Sequence, residues 1–138
     1  MPPATAISED PPNHEDHAET ASTALRPAPK RRDEMALDSC ECLIDIGSAL
    51  FSLPSKDLRK AGRSALPVSR VRQIMMYVAH VVLKLSMMEV GRGFGRDRTT
   101  VLHACQMIED MREDPDFDQL VLVVERVAHA AFRDRIGL

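Results

Sequence analysis

Within residues 91–105, charged and hydroxyl side chains cluster where a glycine-rich loop becomes a helix with periodic apolar residues. Arginine can donate two hydrogen bonds to a guanine edge, aspartate can accept one from a cytosine amine, and helix N-terminal hydroxyls and amides suit phosphate oxygens. These residue types therefore favour contact with DNA over a role in the core. The alternative is a threonine-rich helix cap with two surface arginines. The polar residues at the junction are Arg96, Asp97, Arg98, Thr99 and Thr100.

The helix that follows has two different faces. At about 100° per residue, Val101, Cys105 and Ile108 share one face, on which Arg112 also falls. The three β-branched residues 99–101 are weak helix formers, and a violated local preference is a reason to suspect function. The face predicted to point outward is polar and comprises Thr99, His103, Gln106 and Asp110.

A second, shorter helix is predicted just before this one. Ser86 and Glu89 fit a capping box, in which each side chain accepts a hydrogen bond from the other residue's amide. Glycine favours a helix end near residues 93–95, and Asp97 is placed to cap the next helix. A short helix, a tight turn and a second helix over about residues 86–112 describe a helix-turn-helix, whose second helix enters the major groove.

Charge is segregated along the sequence, although the net charge of the 138 residues is only -3. Residues 54–112 contain 11 Lys and Arg against 5 Asp and Glu, a balance of +6. Residues 1–53 and 113–138 are both acidic. A basic block between acidic flanks is typical of a module that neutralises phosphates, although an asymmetric solvated surface has the same pattern.

Residues 1–34 are predicted to form a disordered, acidic tail, because proline and polar residues leave little to bury. A first amphipathic helix is predicted from Met35 to Pro54. Residues 54–68, here called the basic segment, predict a loop with a short helical turn near Leu58. The apolar positions of the first helix are Met35, Leu37, Cys40, Leu43, Ile44, Ile46, Leu50 and Phe51.

Two further helices complete an all-α fold of about five helices in residues 35–138. Ser69 is predicted to cap the most buried one, and Asp114 with Pro115 to open a last helix over about residues 115–134. No convincing strand alternation is present. The inner stripe of the most buried helix is Val71, Ile74, Met75, Val78, Val81, Val82 and Leu85. That of the last helix is Phe117, Leu120, Val121, Val124, Val127, Ala128 and Ala131.

Other classes of function have weak support. Cys40, Cys42, His103 and Cys105 have spacings tighter than common zinc sites, so free thiols are favoured over a metal site or a nucleophile. We expect no enzyme activity, metal or cofactor. Without a signal-peptide core or an apolar run of about 20 residues, we expect a cytoplasmic protein and no membrane insertion.

The helix-turn-helix region resembles the C-terminal DNA-binding domain of the bacterial chromosomal replication initiator DnaA. The match covers about residues 59–112. In the family, an Arg-x-Arg-Gln helix precedes a Glu-Ile-Gly helix and the motif Gly-Arg-Asp-His-Thr-Thr-Val, followed by His-Ala. The corresponding residues here are 70–79, 89–91, 94–101 and 103–105.

The resemblance implies a DnaA/Trp-repressor-like helix-turn-helix in which residues 97–100 face the major groove of DNA. It also implies that arginines of the basic segment reach the DNA backbone or the adjacent minor groove. Two departures from the family predict an altered sequence preference: one glycine is missing before Arg96, and Arg98 replaces a histidine. His80 stands where relatives can have a lysine near the backbone, but an ordinary half-exposed histidine is favoured. The predicted DNA-contacting residues are Arg96, Asp97, Arg98, Thr99, Thr100, His103, Arg63 and Arg70.

The predicted function is sequence-specific binding of double-stranded DNA, by a nucleoid-associated transcription regulator or a modulator of replication initiation at initiator-type boxes. No phosphate-binding loop motif is present, so we expect no nucleotide binding. The alternative is a protein-interaction adaptor that retains the fold with weak or no DNA binding. The apolar run at residues 121–124 exceeds what one helix face can bury, which leaves a homodimer or a protein partner open.

Overall fold

The computed structural model describes residues 31–62 and 64–134, which form six α-helices and no strand. The prediction of an all-α fold is confirmed. The sixth helix, α2, is the short helical turn expected near Leu58. Residues 1–30 of the predicted tail and Arg63 lie outside the described residues. The predicted end of the tail at residue 34 is wrong, because the first helix already begins at Arg32. The helices are α1 (Arg32–Phe51), α2 (Ser55–Arg59), α3 (Leu66–Val81), α4 (Met87–Phe94), α5 (Arg98–Met111) and α6 (Pro115–Ala131).

Three helices begin where the sequence placed their caps. The capping box of α4 is complete, with the Glu89 amide donating to Ser86 Oγ (3.1 Å) and the Ser86 amide to Glu89 Oε1 (2.8 Å). Asp97 caps α5, and Asp114 caps α6 ahead of Pro115. These signals are local hydrogen bonds, so a sequence pattern can identify them.

The predicted start of α3 at Ser69 is wrong. The helix begins at Leu66 after Ala65, which provides no side-chain cap, and Pro67 lies in its first turn. Proline needs no amide partner there, and its fixed φ suits the helix. Ser69 lies inside the helix, where its hydroxyl donates to the Ser64 carbonyl (3.3 Å).

Helix α3 is the central element, as its apolar pattern predicted. It packs against each of the other five helices, while α1 packs mainly on α4 and α3. Residues on several sides of α3 are therefore buried. They are Val71, Arg72, Ile74, Met75, Met76, Tyr77, Val78 and Ala79.

The predicted inner faces of α1 and α6 are only partly correct. Met35, Leu37 and Leu50 of α1 are exposed, and its inner face consists of Ala36, Cys40, Leu43, Ile44 and Gly47. On α6, Leu120 and Ala131 are exposed, while Val121, Val124 and Ala128 are buried. Each helix presents a narrower stripe to the core than the sequence predicted. Only residues three or four positions apart share the face that is turned toward the neighbouring helices.

Arg112, at the end of α5, connects three helices. Its guanidinium donates to Asp118 Oδ1 (2.6 Å) and Glu125 Oε2 (3.0 Å) of α6 and to the Tyr77 hydroxyl (3.1 Å) of α3. It also lies over the Tyr77 ring, 5.7 Å from the centroid. Burial opposes the charge, but these hydrogen bonds outweigh it and raise the pKa of Arg112. The predicted inward position of Arg112 is thus confirmed.

Within the described residues, none of the helices has both the length and the apolar character needed to cross a bilayer.

Candidate nucleic-acid interface

Helices α4 and α5 are joined by a turn of three residues, Gly95–Asp97. Gly95 ends α4 in the left-handed region (φ 68°), a conformation that side chains with a Cβ disfavour. The Gly91 carbonyl accepts hydrogen bonds from the Gly95 amide and from the Arg96 amide (2.8 Å). The turn therefore folds back onto Gly91, and its backbone fixes where α5 begins.

Asp97 caps α5 through its side chain, which accepts a hydrogen bond from the Thr100 amide (2.8 Å). That bond and the Thr100 hydroxyl lower the pKa of Asp97. Its carboxylate is therefore charged at neutral pH, with one oxygen committed to the helix end.

The next residues form an exposed polar surface at the first turns of α5. Arg98, Thr99, Thr100 and His103 are exposed, and for Thr99 and His103 the helical period predicted this. The Arg98 guanidinium has no hydrogen bond or ion pair with any residue that the structure describes. Beneath them, Val101 and Ile108 are both 0% exposed. A buried face thus holds α5 in place while its polar N-terminal end remains available to a ligand.

Arg96 contacts the protein itself. Its guanidinium donates to the Lys60 carbonyl (2.8 Å) and to the Phe94 carbonyl (3.1 Å), and the side chain is half-buried. This contact places Lys60 of the basic segment directly beside the turn that joins α4 and α5.

Arg70 lies away from the first turns of α5. Its Nη1 contacts the sulfur atoms of Met107 (3.0 Å) and Met111 (2.8 Å), in the C-terminal half of α5. Met107 is nine residues beyond Arg98, roughly 14 Å along the helix axis. The structure therefore brings together residues 96–100 and His103, but not Arg70.

The cations of the basic segment have different environments. Arg59 is paired with Glu41 (2.7 Å) and Asp45 (3.3 Å) of α1, whereas Lys56 and Lys60 are exposed. Arg63 lies outside the described residues. His80, near the end of α3, is half-exposed with Nδ1 2.8 Å from the Leu85 carbonyl oxygen, the ordinary role that the sequence favoured.

Arg72 was missed as a candidate residue. It is only 5% exposed, on α3, and its guanidinium donates to the carbonyls of Asp57 and Leu58 (2.9 Å each) and to Ser64 Oγ (3.0 Å). Burial, together with the charge of Arg96, lowers its pKa. The helical spacing of Arg72 with Met76 and Ala79 was the available signal, since it places Arg72 on a buried face.

The thiols and His103 do not form a cluster. Burial raises the pKa of Cys40 to about 12 and that of Cys105 to about 11, while His103 is exposed on the other face of α5. Among residues 31–62 and 64–134, no group of three or more His, Cys, Asp or Glu side chains is arranged to hold a metal ion.

Acid should weaken the start of α4 through Glu89. Hydrogen bonds from Arg32 (2.8 and 3.1 Å) and from the Ser86 amide lower the pKa of Glu89 below its ordinary value of 4.5, although burial opposes the shift. Its stabilising contribution is therefore fully present above that ordinary value and is lost as the pH falls through the lower, folded value. Glu89→Gln should lower stability at neutral pH, and the difference from the unmodified chain should shrink in acid.

Urea denaturation between roughly pH 3 and pH 6 measures this difference. Glu113→Gln, at an exposed position between α5 and α6, is the matched control and should change stability little at any pH. A Glu89→Gln loss that stays constant over the range would contradict the assigned role of this carboxylate.

The sequence of this region matches the model of a known protein family. Residues 40–108 match the model of the bacterial DnaA protein helix-turn-helix, and these residues are half of the chain. The chain belongs to the DnaA helix-turn-helix family. The matched residues include the basic segment, the turn and most of α5, so the sequence resemblance is confirmed. A helix-turn-helix of this family indicates DNA binding.

Curated relatives agree with this placement. A chromosomal replication initiator protein DnaA from Laribacter hongkongensis is 39% identical over 71 residues, which are 50% of this chain and 15% of the relative. The DnaA protein of Lachnoclostridium phytofermentans is 30% identical over 99 residues, 70% of this chain and 21% of the relative. The chain thus spans about a fifth or less of the length of these relatives.

Solved structures confirm the fold. A crystal structure of a DNA replication initiation factor superposes with a TM-score of 0.66 at 26% identity, covering 73% of this chain and 31% of that one. A DnaA initiator bound to AMPPCP and single-stranded DNA gives a TM-score of 0.62 at 24% identity, covering 83% of this chain and 36% of that one. The DnaA-like arrangement of helices therefore extends beyond the motif itself.

Proposed function

We propose that this domain binds double-stranded DNA sequence-specifically, with α5 as the recognition helix in the major groove. Arg98, Thr99 and Thr100 contact base edges and the nearest phosphates, and His103 lies one turn further along the same face. Asp97 contributes chiefly by capping the helix. Lys60 and Arg63 of the basic segment contact the DNA backbone, and Arg96 joins the segment to the turn.

The observation that carries this proposal is the exposed guanidinium of Arg98, which has no partner in the described part of the chain, at the start of a helix whose opposite face is buried. Arginine's fork of donors matches the O6 and N7 acceptors of guanine. The basic charge of residues 54–112 adds the sequence-independent attraction on which such contacts depend.

We propose a regulatory role, as a modulator of replication initiation at initiator-type boxes or as a transcription regulator, in the cytoplasm at the nucleoid. The sequence contains no Gly-x-x-x-x-Gly-Lys-Ser/Thr motif. We accordingly propose neither nucleotide binding nor catalysis for this domain, and no metal or cofactor.

Arg70 belongs to the proposal as a backbone contact at the far end of α5. Its present partners are the Gln73 amide oxygen (3.2 Å) on the same helix and two methionine sulfur atoms, which are weak acceptors. A phosphate oxygen is a far stronger acceptor for a guanidinium, so the exchange of partners is favourable.

Fluorescence anisotropy with labelled DNA tests the proposal. The probes are a duplex with an initiator-type box, a duplex of random sequence, and the single strand of each, because one structural neighbour was bound to single-stranded DNA. We expect salt-sensitive binding to duplexes and a preference for one of them. A chain that binds neither duplex in a salt-sensitive way would refute the proposal.

Arg98→Ala and Arg63→Ala should have different effects. Arg98→Ala should cost about 1–3 kcal/mol of discrimination at one base-pair position, because a two-bond contact to a base is lost. Arg63→Ala should weaken binding to all duplexes alike and reduce the slope of log K against log salt by about one. Anisotropy titrations over a series of single base-pair changes and salt concentrations separate the two effects.

Arg126→Ala is the matched control, because it removes the same charge from an exposed position of α6, outside the helix-turn-helix. It should leave base preference unchanged. If Arg98→Ala and Arg63→Ala acted identically on every sequence, the division into base and backbone contacts would be wrong.

One observation favours the adaptor as a second candidate function. Leu122 (38%) and Val123 (49%) are exposed side by side on α6, with Leu120 (39%) nearby. A homodimer or a protein partner would cover such a surface. Sedimentation over a range of protein concentrations detects the homodimer, and an adaptor without DNA binding would show no binding in the duplex titration.

A further inference from the structure

The guanidinium of Arg72 is almost fully buried. Among the described residues, none of its hydrogen-bond partners is a carboxylate. Its acceptors are the carbonyl oxygens of Asp57 and Leu58 (2.9 Å each) and Ser64 Oγ (3.0 Å). Burying a charge is costly unless its donors are satisfied, and removing any of these acceptors would leave donors unmet. Movement of these acceptors away from Arg72 is therefore unfavourable, and the side chain fixes their positions.

The two carbonyls belong to α2, a helix of five residues. A helix this short is not stable by itself, and the Asp57 carbonyl accepts only a long backbone hydrogen bond, from the Lys60 amide (3.4 Å) at the helix end. The Arg72 guanidinium supplies both hydrogen bonds and a positive charge, which suits a helix C-terminal end. The position of α2 against α3 thus depends on Arg72, together with the buried Leu58 side chain.

A second guanidinium holds the residue that follows α2. Arg96, in the turn before α5, donates to the Lys60 carbonyl (2.8 Å). The two arginines are close enough for the charge of Arg96 to lower the pKa of Arg72. Both guanidinium groups donate to backbone carbonyls of one segment, so the segment from Asp57 to Lys60 is tied to α3 at one end and to the helix-turn-helix at the other.

We propose that Arg72 is a positioning residue for DNA binding: with Arg96, it holds Lys60 beside the first turns of α5, so that both meet one duplex together. The inference rests on the proposed function. Arg72 itself touches no DNA, since it is buried. Because Arg72 keeps this segment ordered in the free protein, DNA binding does not have to supply the free energy of ordering it.

A double-mutant cycle between Arg72→Lys and Lys60→Ala tests the inference. Lysine keeps the charge but loses the fork of donors, so it cannot hold both carbonyls in the same way. Arg72→Lys should weaken binding to the preferred duplex by about tenfold, the effect of one or two lost charge-assisted hydrogen bonds. In the Lys60→Ala background the same change should have a clearly smaller effect, because the positioned charge is absent.

Ser64→Ala is the milder companion variant, since it removes one acceptor of Arg72 and leaves the two carbonyls. Its loss of affinity should have the same direction as that of Arg72→Lys and be smaller. Hydrogen exchange should show faster exchange of the amides of residues 55–60 in both variants, with the amides of α5 unchanged.

The outcomes separate the possible roles. An equal loss from Arg72→Lys in both backgrounds, or faster exchange in α5 as well, means a general structural role and overturns the inference. An unmodified chain that binds no duplex overturns the proposed function, and the inference with it. An unmodified chain that binds, together with variants that bind equally well, overturns the inference alone.

Discussion

Gly91→Ala is expected to lower the free energy of unfolding by about 3 kcal/mol and to weaken DNA binding with it. A Cβ at this position would lie 2.6 Å from the Arg96 carbonyl oxygen. That oxygen belongs to the backbone of the turn, so no side-chain rotation can relieve the clash. The cost therefore lies at or above the upper end for overpacking, about 3 kcal/mol, although alanine as the better helix former returns up to about 1 kcal/mol.

Gly95→Ala is the control for this prediction. Gly95 has a positive φ, but nothing lies within 4 Å of the position of an added Cβ. Its loss should be that of the left-handed conformation alone, about 1 kcal/mol. Urea denaturation measures both variants. Equal losses would mean that the close approach at Gly91 does not determine the geometry of the turn.

Arg112→Met is expected to destabilise the protein by about 3 kcal/mol, because two carboxylates lose their partner. Glu125 and the Arg112 side chain are each 16% exposed, so solvent replaces little of the lost interaction. Asp118, at 37% exposed, recovers more through hydration. The value accordingly lies at the lower end of the range for breaking a buried pair.

The combined variant Arg112→Met, Asp118→Asn, Glu125→Gln tests the cause. It removes the uncompensated charges, so it should be more stable than Arg112→Met alone, even though it carries more substitutions. Thermal or urea denaturation gives the comparison. If the combined variant were no more stable than Arg112→Met, uncompensated charge on Asp118 and Glu125 would not be the cause of the loss.

Helix starts and the outward face of α5 could be predicted because they depend on residues close in sequence. Ser86 with Glu89, Asp97, and Asp114 with Pro115 each satisfy amides within one turn of themselves. The start of α3 was misplaced because two signals competed nearby. Pro67 decided the start, and Ser69 became an interior residue.

The tertiary roles of the arginines could not be predicted in the same way. Arg59, Arg72 and Arg96 look alike in a sequence, since each is a basic residue in a basic region. In the structure one pairs with carboxylates on α1, one is buried against carbonyls, and one bridges the turn to Lys60. The partners that set these roles, Asp45, Leu58 and Lys60, are 14 to 36 positions away in the chain, beyond the reach of any local pattern.

Helix α1 supplies none of the proposed DNA contacts, yet it holds Glu89 through Arg32 and Arg59 through Glu41 and Asp45. In the proposed function, α1 therefore contributes to stability alone, whereas base recognition depends on the exposed first turns of α5. We expect the two to evolve separately. If the proposed function holds, homologues can diverge along α1 and keep the same base preference, whereas a change at Arg98 alone should alter base preference while the melting temperature stays the same.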